Sequence, residues 1–109
     1  MITPDQVQDI RGMLTEACDL HISDGGRILS SCFDNERGGR CPIGCLVGSS
    51  SEGGYIGPAT SILGIKEDTE VLLDFVYAFD NNLDYPATRS PLAALGHELR
   101  AKYLPVVMP

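Results

Sequence analysis

The chain has 109 residues, 43% of them apolar, and a formal net charge of −7. That length suits one domain with a modest core, and that apolar content excludes a disordered chain. The charge disfavours nucleic acid as a partner, and no apolar run approaches the roughly 18 residues of a membrane-spanning helix.

Met1-Ile2-Thr3-Pro4-Asp5 lacks the basic and apolar regions of a signal peptide. With its four cysteines read as buried thiols, the chain reads as cytoplasmic. Thr3-Pro4-Asp5-Gln6 is a capping box with proline at the first helical position. Val7, Ile10, Leu14 and Cys18 follow at helical spacing and predict a first helix to about residue 19. Asp24-Gly25-Gly26 is a turn signal. Residues 27–33 suit an extended segment, and 34–39 a polar loop.

The densest cluster of cysteine and glycine is Gly38-Gly39-Arg40-Cys41-Pro42-Ile43-Gly44-Cys45-Leu46-Val47-Gly48. Pro42 predicts a helix from 42 to about 50, with Cys41 just before it. Gly44 and Gly48 then share one face, and Cys41 and Cys45 line the next. Interior glycines cost about 1 kcal/mol each against alanine, so the expected compensation is a close crossing by another helix. Cys41, Pro42, Gly44, Cys45 and Gly48 are therefore the expected structural centre. The rival reading is a buried strand, with a small hairpin between 28–33 and 40–46.

Gly57-Pro58 opens a short helix over 58–63, and Gly64 is expected to end it in the left-handed conformation. Asp68 is the expected N-cap of a nearly all-apolar helix over 71–79, buried on more than one side. Asp80-Asn81-Asn82 stops it. Ser90-Pro91 starts the last helix, with Leu92, Leu95, Leu99 and Tyr103 on one stripe. Arg100 and Lys102 lie in its last turn, where cations suit the helix dipole, and Pro105 ends it. Residues 104–109 form an apolar tail. The fold class is mostly α: a single-domain bundle of four to five helices around a short central helix, with room for a minor β-hairpin near 27–46.

The landmarks Cys41-Pro42-x-Gly44-x-Leu46, Leu63-Gly64-Ile65, Phe75-x-x-x-Phe79-Asp80 and Leu95-Gly96-x-x-Leu99-Arg100-x-x-Tyr103 run in that order. In this the chain resembles small uncharacterised bacterial and phage proteins that carry a C-P-x-G-x-L helix, over residues 38 to 103. The resemblance implies a helical domain with these landmarks packed together. It brings no activity and no site residues.

Zinc is the first chemistry to weigh, through Cys32, Cys41, Cys45 and either His21 or His97. Against it, the chain has no C-x₂-C pair. Calcium is second: Asp80, Asn82 and Asp84 match the first three ligands of an EF-hand loop, but Tyr85 stands where glycine is needed and Pro91 where the bidentate glutamate is needed. A nucleophilic cysteine needs an electropositive, partly exposed setting, which Cys41 beside Arg40 comes nearest to offering. Gly38-Gly39-Arg40 could take an anion, and no P-loop is present. Ordinary core thiols and a solvated turn outrank all of these. The expectation is a small intracellular interaction or regulatory module without catalysis or cofactor, acting through a protein partner or as a homodimer. The alternative is a metal-binding protein, with zinc before calcium. The apolar helix at 71–79, the last helix's stripe and the tail are the surfaces expected to associate, with 67–84 as an acidic rim and Arg89, Arg100 and Lys102 as a basic one.

Overall fold

Thr3 begins the first helix by the reciprocal contacts that its capping box predicts. Its Oγ1 accepts from the Gln6 N–H at 3.1 Å, and Gln6 Oε1 accepts from the Thr3 N–H at 2.8 Å. The structure, a computed structural model, describes residues 2–30, 39–48, 55–80 and 84–104. The helix so started, α1 (Pro4–Ser23), runs one turn past its predicted end. The apolar stripe stops at Cys18, but nothing breaks the backbone until Gly25, which takes φ 89°. The Gly26 N–H bonds to the His21 carbonyl at 2.9 Å and the Gly25 N–H to that of Ile22 at 3.0 Å, a Schellman ending. The His21 ring lies where a Cβ on Gly26 would stand.

The minor β element is present, but it is not a hairpin. β1 (Arg27–Ile28) and β2 (Gly39–Arg40) pair in parallel, Arg27 opposite Gly39 and Ile28 opposite Arg40. The rival strand over 40–46 stops at Arg40, because Pro42 starts a helix there. In α2 (Pro42–Val47), Cys41 is the N-cap and its Sγ accepts from the Gly44 N–H at 3.5 Å. Gly48 ends α2 with φ 85°, earlier than predicted, and the space beside it is open. Gly48 is thus a helix stop and not part of a close crossing. The break predicted at 49–54 lies outside the described residues.

The next helix, α3 (Ile56–Leu63), starts two residues before Pro58, which still falls in the first turn, where its missing N–H costs nothing. Thr60, the buried polar residue of this helix, bonds through Oγ1 to the Gly57 carbonyl at 2.8 Å. Gly64 is left-handed at φ 72°, as predicted. A 3₁₀ turn, Lys66–Asp68, leads into α4 (Thr69–Phe79). Asp68 holds the N-cap position of α4, but its side chain makes no cap hydrogen bond. In α5 (Pro91–Tyr103), Ser90 Oγ accepts from the Ala93 N–H at 3.2 Å. The predicted stop at Pro105 and the rest of the tail lie outside the described residues.

Five α-helices are therefore present among the described residues. The most extensive packing is α4 on α5, and α1 lies against both α2 and α5. The two seams share one apolar core that includes Ile10, Leu14, Ile43, Leu72, Phe75 and Leu99. The α4–α5 seam closes around Gly96. A Cβ there would stand 2.6 Å from the Phe75 carbonyl oxygen and 2.8 Å from Ala78 Cβ. The close approach that a helical glycine permits is made here. Arg100 then reaches across the seam, and its Nη1 donates to the Phe79 carbonyl at 2.5 Å. A cation at that place satisfies an orphan carbonyl and the negative end of the α4 dipole. No described helix is long and apolar enough to cross a membrane.

Candidate functional site

Residues two apart on a helix point about 200° away from each other. In α1 this separates buried Cys18 from Leu20, which is 60% exposed. Gly12, Glu16 and Leu20 share the outer face and are all exposed. Leu20 forms a ridge there. On its α5 side lies an open groove of about 630 Å³, lined by Arg11, Gly12, Thr15, Asp19 and Lys102 among others. On its α2 side lies an apolar hollow of about 200 Å³ between Met13, Ala17 and Leu46.

The groove carries both signs of charge on a braced wall. Arg11 is bidentate on Glu98 of α5, with Nε–Oε2 at 2.7 Å and Nη2–Oε1 at 3.0 Å. That contact holds the guanidinium pKa above its ordinary value. The Tyr103 hydroxyl donates to Asp19 at 2.8 Å. Burial, and then this bond, push the phenol pKa up, so it stays a neutral donor. The outer face of α1 is therefore braced at Arg11 and Asp19, partly apolar and, among the described residues, uncovered at its apolar ridge. It was missed because attention to the buried stripe passes over an apolar residue lying off it. Leu20, set opposite Cys18, was the available signal.

The surfaces expected to associate are placed differently. Leu72, Phe75, Val76 and Phe79 of α4 and Leu92, Leu95 and Leu99 of α5 are buried against one another, while Tyr77 of α4 is 49% exposed; all of the expected tail but Leu104 lies outside the described residues. Two cations of the expected basic rim are engaged within the chain. Arg89 lies 3.4 Å from Asp74, and Arg100 holds the end of α4.

Of the expected structural centre, Cys41, Pro42 and Gly44 are buried, Cys45 is half-buried, and Gly48 stops the helix. The zinc set is not assembled among the described residues. Cys32 lies outside them, and His97 sits on α5 with Nε2 at 2.6 Å from the Tyr85 carbonyl. No three His, Cys, Asp or Glu side chains among the described residues converge as metal ligands. In the calcium set Asn82 lies outside the described residues, Asp80 is the C-cap of α4, and Asp84 is exposed. Cys41 is not the accessible thiol expected from Arg40. It is 3% exposed, and burial pushes its pKa up to about 12.

Tyr85 gathers a second polar group. Its hydroxyl donates to Asp74, which raises the phenol pKa, and Arg89 lies over its ring at 5.7 Å. With His97 on its carbonyl, Tyr85 ties the segment before α5 to both α4 and α5. These contacts close on one another and account for the cluster as a latch. No protein-family model, curated protein or solved structure matches the chain.

Proposed function

We propose that the protein is a small cytoplasmic interaction module whose contact surface is the outer face of α1, and that its partner is a second copy of the chain. The observation that carries this is Leu20, 60% exposed on a ridge between two hollows. An exposed large apolar side chain in a grooved surface is the form of an interface anchor. The face is also self-complementary. In an antiparallel pair whose twofold axis passes at Glu16, each Leu20 comes level with Gly12 and Met13 of the other copy. Gly12 leaves open space there. Each Asp19 comes level with the other copy's Met13, two residues or about 3 Å along the axis from its Arg11, which offsets the repulsion between two chains of net charge −7.

Sedimentation at micromolar concentration is expected to give about twice the chain mass of 11.7 kDa. Leu20→Asp removes the anchor and should weaken association by about 30-fold, the equivalent of about 2 kcal/mol. Ile62→Asp, at another exposed apolar position on α3, should leave it unchanged. Glu16 meets its own copy at the axis, so Glu16→Gln should tighten association about two- to fivefold, the worth of one exposed charge pair. A wild-type mass of 11.7 kDa at every concentration would remove the dimer, and equal loss in the Leu20 and Ile62 variants would move it off α1.

A further inference from the structure

α1 carries the one methionine among the described residues, Met13. It is half-buried: it packs against the core, and it also lines the open apolar hollow of about 200 Å³ on the α2 side of Leu20. Residues seven apart on a helix point within about 20° of each other, so Met13 and Leu20 share one side of the ridge. A twofold axis between two antiparallel α1 helices keeps the α2 side of one copy beside the α2 side of the other. Leu20 of the second copy therefore enters at Met13, whereas Arg11 lies round on the α5 side. A thioether adapts its shape to such a contact. Of the side chains that meet there, it is also the one that a hydroperoxide oxidises.

We infer that Met13 is an oxidation site that controls the pairing of two α1 faces, an inference that rests on the dimer proposed above. A lone pair of the Met13 sulfur attacks the outer oxygen of a hydroperoxide. An S–O bond forms and the O–O bond breaks. The remainder leaves as an alcohol (water, for hydrogen peroxide), carrying the proton of the transferred oxygen. The sulfur loses two electrons and the peroxide gains them. The product, methionine sulfoxide, sets a polar oxygen where the apolar Leu20 of the second copy must sit. Burying such a group without a hydrogen-bond partner is unfavourable. The other side chains of the hollow, Glu16, Ala17, Leu20 and Leu46, offer the new oxygen no donor. In the separated chain the hollow is open and water satisfies it, so oxidation favours the monomer. By the same linkage the dimer covers the sulfur and slows its oxidation.

The test first measures association of the purified, reduced chain by sedimentation, then adds hydrogen peroxide and reads Met13 by peptide mass spectrometry. Met13 should gain one oxygen, and association should weaken by about tenfold or more, with the helical circular dichroism kept. Raising the chain concentration above the dissociation constant should slow oxidation of Met13 severalfold against N-acetylmethionine in the same tube. Met13→Leu keeps the volume and apolar character of the site. It should associate as the wild type does, before peroxide and after it, which separates Met13 from the cysteines and the other methionines. Methionine sulfoxide reductases for both epimers, with dithiothreitol, should restore association of the oxidised wild type. Four results would overturn the switch and leave the dimer standing: a Met13 that stays reduced in the dilute chain, an oxidised Met13 with association unchanged, equal weakening in Met13→Leu, or loss of helix on oxidation. A chain already monomeric before peroxide overturns the dimer, and the switch with it.

Discussion

Gly96→Ala should lower the melting temperature by about 10 °C, although alanine is the better helix former. Intrinsic propensity favours the change by about 1 kcal/mol. Against it, the new Cβ falls 2.6 Å from a backbone oxygen of α4 and 2.8 Å from Ala78 Cβ. Neither atom is the end of a flexible side chain, so α4 and α5 must separate along a seam that buries Leu72, Phe75, Leu95 and Leu99. Overpacking of this kind costs about 1–3 kcal/mol. Here the upper end applies, because no single side chain can absorb the displacement. The net loss is about 2 kcal/mol, or about 10 °C in a domain of this size. Gly57→Ala, on α3 and clear of the α1 face, is the comparison. It has open space, so propensity alone should act, raising the midpoint by up to about 4 °C. Thermal unfolding followed by circular dichroism reads both. A Gly96→Ala midpoint equal to wild type would contradict the close crossing.

Phe75→Ala should cost more, about 3–5 kcal/mol. Phe75 is 1% exposed, and its ring stacks on Phe79 with centroids 6.0 Å apart. Its carbonyl is the atom that faces Gly96. The helices are already held at their closest approach there, so they cannot collapse into the space the ring leaves. The full cavity term should therefore appear. A domain with the usual stability of about 5–15 kcal/mol would lose a large share of it. Urea unfolding is the check: the midpoint should fall with the slope unchanged. The two substitutions act on one contact, so the double variant should fall short of their sum by about 0.5 kcal/mol or more. Strict additivity would mean that Phe75 and Gly96 do not share a seam.

How much of this was legible depended on whether the signal was local. Thr3 with Gln6, Cys41 with Pro42, Gly64, and Ser90 with Pro91 fix helix ends through neighbours within four residues, and each end stands where the chain chemistry places it. The end of α1 was misjudged because the apolar stripe ends at Cys18 while the helix needs Gly25 to stop. The close crossing was sought at Gly44 and Gly48, although Gly96 carries one. All three glycines lie in or beside helical patterns, and only the choice of neighbouring helix separates a crossing glycine from a stop. The share of α4 and α5 left open to a partner is illegible for a related reason. Each stripe is visible in the sequence, but their mutual burial is not. The candidate site was partly legible: Leu20 lies off the stripe, whereas the grooves beside it require Lys102 and Leu46 from distant parts of the chain. Cys18 and Cys45 were both read as core thiols, and a surface pocket that reaches Cys45 depends on His21 and Arg40 from two other elements.

The contact surface itself can be mapped by placing the photoreactive residue benzoylphenylalanine at position 16, on the expected twofold axis, and irradiating at micromolar concentration. The expected product is a covalent dimer whose cross-link joins position 16 to the 12–20 stretch of the second copy, and the same residue at position 62 gives none. Cross-linking from position 62 but not 16, or from 16 to a surface outside α1, would contradict the assignment of α1's outer face as the interface.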